Sequence, residues 1–186
     1  MAGHDSAAAP ELGLHLLVLR CQAGDERAFA QLMERFGKRT LSYLRGLVGE
    51  DADDVQQQVW LTVYRSISTL SNPRAFRTWL FRTTRHRALD FLRKQKREQE
   101  LTDDAAAEFV ELIEAAGESS IGLDAAELAG ALAALPPAQR EVVLLRYQDE
   151  LSYAEVALVV GCSIGTVRSR LHHAKRKLHD FMQHRR

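Results

Sequence analysis

Residues 135–178 read LPPAQREVVLLRYQDELSYAEVALVVGCSIGTVRSRLHHAKRKL, and this stretch contains start and stop signals for consecutive helices. Its Leu-Pro-Pro opening predicts a helix that runs through Tyr147, because proline fits the first helical turn, where its missing N–H is not needed. Ser152 and Glu155 have the Ser-x-x-Glu spacing of a capping box, which predicts the start of a second helix. Gly161 stands where a left-handed C-terminal cap would end that helix in a tight turn.

A third helix follows this turn, with Ser163 placed to cap it. Its apolar residues recur at spacings of four, three and four, which puts them on one inner face. The inner residues are Val167, Leu171, Ala174 and Leu178. The opposite face carries hydrogen-bond donors and cations, namely Gly165, Ser169, His172, His173 and Arg176, flanked by Arg168, Arg170, Lys175 and Lys177. A short helix, a tight turn and a basic second helix together predict a helix-turn-helix, whose second helix enters the major groove of duplex DNA.

Two kinds of contact are expected on this outer face. The expected phosphate ligands are the cations Arg168, Arg170, Lys175 and Lys177. The expected base readers are Ser169, His172, His173 and Arg176. An ordinary amphipathic helix with a solvated charged face is the alternative for the same pattern. A zinc site is disfavoured, because the histidines at 172, 173, 179 and 184 have no carboxylate or third ligand at a fixed spacing.

The composition of the 186-residue chain favours an all-α fold. Leu, Ala, Glu and Arg recur throughout, there are only four prolines, and no window alternates as a strand would. Breaks in the helical periodicity predict two small helical domains joined by an acidic flexible linker. The predicted ranges are 1–11 for a disordered lead-in, 12–99 for a bundle of about four helices, 100–123 for the linker with a possible short helix around 108–116, and 124–183 for the helix-turn-helix domain.

The net charge of zero hides a segregation of charge along the chain. Residues 71–100 hold nine Lys or Arg against three Asp or Glu, and residues 151–186 hold seven against two. Between them, residues 101–130 hold eight acidic residues and no basic one. Two basic blocks separated by an acidic one predict two contacts with a single polyanion.

The first basic block is a predicted helix over residues 75–99. Its inner stripe is Leu80, Thr84, Ala88 and Phe91, and its outer stripe is Arg82, His86, Leu89, Arg93 and Arg97, with Arg85 and Lys96 alongside. Such a ridge of cations suits a phosphate backbone, and Trp79 offers a flat surface for stacking on unpaired bases. Trp79 serves equally well as a core residue, whereas Phe76 and Phe81 are expected in the core.

Other segments narrow the class of protein. DADDVQQQVW at 51–60 is either a protein-binding surface or a solvated acidic helix start.

Cys21 and Cys162 are isolated, so we expect small buried hydrophobic residues rather than a disulfide or metal site. None of HExxH, GxxxxGK[ST] or GxSxG occurs, so we expect no catalytic residues, no metal and no cofactor. The apolar run at 12–19 is too short to span a membrane, and we expect a cytoplasmic protein.

Four segments in this order resemble the extracytoplasmic-function (ECF) group of bacterial sigma-70 factors. They are GDERAFAQLMERF at 24–36, DADDVQQQVW at 51–60, FRTWLFRTTRHRALDFLRK at 76–94, and the stretch at 135–178 quoted above. The resemblance implies an N-terminal domain that binds the clamp of RNA polymerase and melts the minus-ten element. It implies a C-terminal domain that reads the minus-thirty-five element, and a linker that threads toward the RNA path. The implied partners are core RNA polymerase, promoter DNA and, as in many family members, an anti-sigma factor.

By position, the resemblance also implies roles for individual residues. Asp54 and Gln57 would contact polymerase. The minus-ten set is Trp79, Arg82, Arg85, His86, Arg93 and Arg97. The minus-thirty-five set is Thr166, Arg168, Ser169, Arg170, His172, His173 and Arg176. This chain departs from the family in two places, since the family usually has Asn in place of His86, and often an aromatic residue and an Arg in place of the two histidines at 172 and 173.

A different class of protein fits the helix-turn-helix alone. A transcriptional regulator that binds an operator as a dimer would use the same second helix in the major groove. That alternative leaves the N-terminal basic helix without a function.

Overall fold

The computed structural model describes residues 8–100 and 130–183, and every regular element in these two ranges is helical. The predicted all-α fold is confirmed. None of these helices combines the length and the apolar composition that crossing a membrane requires. Of the linker predicted for residues 100–123, Glu100 is the last residue of a helix, and residues 101–123, with the short helix predicted around 108–116, lie outside the two ranges.

The N-terminal half contains four long helices, as predicted. They are α1 (Ala8–Gln22), α2 (Glu26–Val48), α3 (Ala52–Ser66) and α4 (Phe76–Glu100). Helix α1 begins at Ala8, so it overlaps the predicted lead-in of 1–11 by four residues. Pro10 lies in the first turn of this helix, where a proline costs no hydrogen bond. Residues 1–7 of the predicted lead-in lie outside the described part of the chain.

Helix α4 has the predicted inner face. Leu80, Thr84 and Ala88 are fully buried, and Phe91 packs against the core from a half-buried position. The Thr84 hydroxyl donates a hydrogen bond to the Leu80 carbonyl at 2.9 Å, which satisfies the only polar group on this stripe. Between these residues, Arg82 and Arg87 are exposed and Arg85 is half-buried.

The C-terminal half contains α5 (Pro137–Val143), α6 (Tyr153–Val160) and α7 (Ile164–Gln183). The helix predicted to run through Tyr147 keeps α-helical geometry only to Val143, and residues 144–148 form a wider helical turn. The Asp149 N–H bonds to the Leu144 carbonyl, five residues earlier, at 3.2 Å. Leu144 packs against α2, where a Cβ atom on Gly46 would lie 3.0 Å from its Cδ1.

The two halves contact each other, so the buried side chains form one continuous hydrophobic cluster from Leu14 to Ala174. Helix α4 packs against α6, and α2 packs against α5. Two helical domains joined by an acidic linker were predicted, whereas a packed surface between them was not.

Candidate nucleic-acid interface

The start and end of α6 have the predicted capping geometry. Ser152 Oγ accepts a hydrogen bond from the Glu155 N–H at 3.3 Å, and Glu155 Oε2 accepts one from the Ser152 N–H at 2.8 Å. At the other end, Gly161 has φ of 71°, in the left-handed region that glycine adopts without strain. The capping box and the left-handed cap are both confirmed.

Helix α7 starts at the predicted cap. Ser163 Oγ accepts a hydrogen bond from the Thr166 N–H at 3.0 Å and lies 2.9 Å from the Thr166 hydroxyl. Val167, Leu171 and Ala174 are buried, as the inner stripe predicted. Because α6, its left-handed cap and α7 follow one another with this packing, the helix-turn-helix geometry is in place.

The outer face of α7 is exposed along its length. The exposed members of the predicted minus-thirty-five set are Arg168, Ser169, His172, His173 and Arg176. Arg170 and Thr166 are half-buried at the edges of this face. The rings of His172 and His173 stand edge to face with centroids 5.7 Å apart. The face thus offers cations at both ends and two imidazoles between them, which suits hydrogen bonding to base edges and phosphates.

Lys175, a predicted phosphate ligand, has an interaction within the domain. Its ammonium nitrogen lies 5.5 Å from the centroid of the Tyr147 ring, which is a cation–π distance. A hydrogen bond to Tyr147 raises the pKa of Lys175, so this side chain stays charged.

On α4, the exposed members of the predicted minus-ten set form a ridge. They are Arg82, His86, Arg93 and Arg97. Arg93 pairs with Asp90 at 2.8 Å, and the Arg97 Nε donates to the Arg93 carbonyl at 3.3 Å. Both side chains of the Arg93–Asp90 pair are about half exposed, so the pair is weak and Arg93 can exchange its partner for a phosphate.

Two aromatic residues of α4 lie in the core, as predicted. Phe76 and Phe81 are fully buried. Trp79 is half-buried and packs against Phe76 with ring centroids 6.0 Å apart. Trp79 precedes Arg82 by three residues and His86 by seven on the same helix, and its stacking role stays a prediction.

Arg85 is placed differently from the rest of the minus-ten set. Its Nε donates a hydrogen bond to Glu141 Oε1 at 2.8 Å, and the Tyr43 hydroxyl donates to the same oxygen at 2.8 Å. The Glu141 side chain is only 7% exposed and that of Arg85 22%. Burial, and next the Glu141 carboxylate, raise the pKa of Tyr43 well above its ordinary value, so its hydroxyl remains a donor. Arg85 therefore faces the C-terminal half instead of the exposed ridge.

The same contact region contains a buried carboxylic acid that the sequence did not reveal. The Asp149 side chain is completely buried, and within the described chain neither carboxyl oxygen has a hydrogen-bond partner. Its backbone carbonyl accepts a hydrogen bond from Arg77 on α4. Burial raises the pKa of Asp149 to about 7, although Arg39 and Arg77 act to lower it.

The predicted polymerase-binding residues lie on a third surface. Asp54 and Gln57 are exposed on α3, while Val55 and Val59 of the same helix are buried. Gln56 turns inward and donates to the Gly37 carbonyl at 2.6 Å. Asp54 and Gln57 thus share an outward face of α3 and are accessible to another protein.

The two cysteines occupy separate positions, Cys21 buried and Cys162 half-buried, and both are free. Within residues 8–100 and 130–183, no three His, Cys, Asp or Glu side chains are grouped as metal ligands.

Comparison with known proteins identifies both halves. Residues 32–98 match the family model for sigma-70 region 2, and residues 125–178 match the model for sigma-70 region 4. The chain is 31% identical over 179 residues to the ECF RNA polymerase sigma-E factor of Escherichia coli strain K12, covering 90% of this chain and 93% of that protein. It is 30% identical over 187 residues to the sigma-E factor of Haemophilus influenzae, covering 94% and 98% of the two chains.

Two solved structures share the arrangement of helices. CnrH in complex with the cytosolic domain of CnrY aligns with a TM-score of 0.66 and 26% identity, covering 91% of this chain and 97% of CnrH. The sigma factor RpoE in complex with the anti-sigma factor NepR from Bartonella quintana aligns with a TM-score of 0.64 and 26% identity, covering 83% and 96%.

Proposed function

This chain belongs to the ECF group of the sigma-70 family, and from that membership we propose that it binds core RNA polymerase and directs it to specific promoters. The observation that carries the proposal is the presence of regions 2 and 4 on one chain, each with an exposed basic helix. A regulator that binds an operator alone would need the helix of region 4 only. The N-terminal match and the cationic ridge on α4 therefore favour the sigma factor.

For the minus-thirty-five element, we propose that α7 enters the major groove. Arg168 and Arg170 would bind phosphates near the start of the helix, together with the Thr166 hydroxyl. Ser169, His172, His173 and Arg176 would read base edges, because they are hydrogen-bonding side chains on the outer face. An imidazole donates or accepts according to its tautomer, so the two histidines are compatible with more than one base.

For the minus-ten element, we propose that the ridge of Arg82, His86, Arg93 and Arg97 follows the backbone of the melted strand. Trp79 would stack on an unpaired base at the edge of that ridge. Arg85 belongs to this set only after it has left Glu141, since the carboxylate occupies its guanidinium in the present arrangement.

For polymerase binding, we propose the exposed face of α3 that carries Asp54 and Gln57. Its amide and carboxylate groups suit a polar contact with another protein surface. We further propose that the protein acts by binding alone, with the chemistry of RNA synthesis carried out by polymerase. Since core polymerase and the chromosome share the bacterial cytoplasm, this is where we propose that the protein works.

An anti-sigma factor is a further proposed partner. The solved RpoE neighbour is bound to the anti-sigma factor NepR, and CnrH is bound to the cytosolic domain of CnrY. A protein that covers the basic faces of both halves would keep this chain from polymerase and DNA.

Run-off transcription tests the proposed function. Core RNA polymerase supplied with this protein should produce promoter-specific transcripts, whereas core enzyme alone should not. On a sizing column the protein should elute with core polymerase. Tight operator binding by the free protein, with no association with the core enzyme, would instead identify a stand-alone regulator.

The proposed base contacts are tested by changing His172 and His173, which are both exposed on the outer face of α7, to alanine together. We expect transcription to become less selective for the upstream element, because a side chain that contacts a base edge contributes about 1–3 kcal/mol of discrimination. Lys177→Ala is the matched control, since removing a phosphate ligand should weaken binding to all templates equally. An unchanged ranking of upstream sequences in the double variant would remove these two residues from base reading.

The proposed polymerase contact is tested by changing Asp54 and Gln57 to alanine together. We expect weaker co-purification with core polymerase and an unchanged circular dichroism spectrum, because both side chains are exposed. Changing Asp180 and Gln183 to alanine is the matched control. This exposed acid and amide have the same spacing on α7 as Asp54 and Gln57 have on α3. Equal co-purification of both double variants would exclude the α3 face from the interface.

A further inference from the structure

The contact between the two halves is centred on a buried polar network. Glu141 Oε1 on α5 accepts hydrogen bonds from the Tyr43 hydroxyl on α2 and the Arg85 guanidinium on α4, both at 2.8 Å. A buried carboxylate with two such partners is held firmly, because removing either partner leaves polar groups without compensation. The network therefore joins three helices from both halves at a single oxygen atom.

Further contacts surround this network on both sides. The Thr78 hydroxyl on α4 donates to Glu155 Oε1 on α6 at 3.1 Å, and Arg77 donates to the Asp149 carbonyl. On α2, Gly46 allows Leu144 to approach so closely that an added Cβ would lie 3.0 Å from its Cδ1. The interface is thus closely packed on α2 and hydrogen-bonded on α4.

With its two halves packed together, the protein is too compact to contact both promoter elements at once. A folded chain of this length has a radius of gyration of about 16 Å and a diameter of roughly 40 Å. The minus-ten and minus-thirty-five elements are centred about 25 base pairs apart, which is roughly 85 Å at 3.4 Å per base pair. Residues 101–129 could span up to about 100 Å when extended, so the connection permits the two halves to reach both elements once they separate.

We propose that the Tyr43–Glu141–Arg85 network is an autoinhibitory latch that keeps region 2 and region 4 together in the free protein. This inference rests on the proposed function, because it assigns the closed state to the factor before it engages polymerase and promoter. The latch also withholds a DNA ligand, since Arg85 of the minus-ten set is bonded to Glu141.

Separation of the two halves lets Arg85 exchange the Glu141 carboxylate for a DNA phosphate. When the halves separate, Glu141 moves away with α5, and the guanidinium can bind a DNA phosphate, which is an equally good acceptor for its fork of donors. DNA binding and opening then favour each other, because the phosphate contact exists only in the open state. The free protein should bind DNA weakly in proportion to its small open fraction.

Two variants open the latch by different routes. Glu141→Gln removes the charge that Arg85 pairs with, while keeping the side-chain shape. Gly46→Gln adds a side chain whose Cβ alone would lie 3.0 Å from the Leu144 Cδ1, and we expect its remaining atoms to press the two halves apart. Gly37→Gln is the matched control for the second variant, because Gly37 lies on the same helix and an added Cβ there has no neighbour within 4 Å.

Small-angle X-ray scattering and DNA binding are the two measurements, both made on the full-length protein without polymerase. We expect the two opening variants to have a larger radius of gyration than the parent and the Gly37→Gln control. Their affinity for labelled 40-base-pair duplexes of randomised sequence should rise roughly tenfold, as the open fraction increases. The dependence of log affinity on log salt should steepen by about 0.9 for each additional phosphate that the opened protein neutralises.

The latch is refuted if neither variant expands, or if both expand without a gain in DNA affinity. A variant that merely unfolds would lose affinity, so a gain in binding separates opening from damage. Neither measurement uses polymerase, so failure of the proposed function in run-off transcription would be recognised separately. With core polymerase in excess, both opened variants should transcribe as well as the parent, because the core enzyme opens the parent as well.

Discussion

Asp149 makes the stability of this protein depend on pH, and the substitution Asp149→Asn isolates that dependence. The carboxyl group is completely buried, and burial raises its pKa to about 7 from the ordinary value of 3.8. Arg39 and Arg77 oppose this shift and Glu150 adds to it. Asparagine has nearly the same shape but cannot ionise, so it represents the neutral form at every pH.

The sign of the effect follows from the proton balance. Below pH 3.8 Asp149 is protonated in the folded and the unfolded chain, and it contributes no pH dependence. Between pH 3.8 and 7 the unfolded chain loses this proton while the folded chain keeps it, so stability falls as the pH rises. At about 1.4 kcal/mol per pH unit, the total loss reaches roughly 4 kcal/mol. Above pH 7 both states are ionised, and the contribution is constant.

Urea unfolding followed by circular dichroism at about pH 5 to 8.5 measures this effect. The difference in unfolding free energy between the variant and the parent should grow by roughly 3 kcal/mol from about pH 5 to 7.5, in favour of the variant. Taking the difference cancels the titration of all other groups. Asp53→Asn, at a side chain that is 67% exposed, is the control and should give a flat difference. A flat difference for Asp149→Asn as well would mean that this carboxyl is already ionised in the folded protein.

Two further substitutions test local features of the helix-turn-helix and of α4. Gly161→Ala should lower the unfolding free energy by about 1 kcal/mol in thermal or urea unfolding, because φ of 71° strains any residue with a Cβ. The control is Gly13→Ala, at a helical position with open space around it, and it should be neutral or stabilising. Equal losses of unfolding free energy in the two variants would contradict backbone strain at Gly161. Arg93→Ala should change stability by less than about 0.5 kcal/mol, since its pair with Asp90 is exposed, and should lower the salt slope of DNA binding by about one. An unchanged salt slope would remove Arg93 from the DNA contact.

The helix-turn-helix was predictable because its determinants are local. The Ser152–Glu155 capping box lies within four consecutive residues, and Gly161 is the position at which the chain turns left-handed. The buried stripe of α4 was predictable for the same reason, since a helical repeat places Leu80, Thr84 and Ala88 on one face. Patterns of this kind need no knowledge of distant contacts.

The contact between the two halves could not be predicted in this way. Tyr43 and Glu141 are 98 positions apart, and no periodicity relates a tyrosine in one helix to a glutamate in another. A charged residue just before Val142 and Val143 was the only sign that Glu141 has a buried partner. For this reason Arg85 was grouped with the exposed cations of α4, although in the structure it faces Glu141.

The wider turn at residues 144–148 has a similar origin. The sequence through Tyr147 is a good helix former, and local propensity favours an uninterrupted helix. Packing of Leu144 against Gly46 accompanies the change to five-residue hydrogen bonding. This contact depends on α2, because Gly46 lies almost a hundred residues before Leu144 in the chain.

Run-off transcription from a randomised promoter pool, with and without core RNA polymerase, tests the central claim most directly. If this chain is a two-domain promoter reader, the enriched templates will share two separate sequence blocks at a constant separation, and enrichment will require both proteins. Enrichment of one palindromic block by the free protein, or transcripts that do not depend on this chain, would contradict the account.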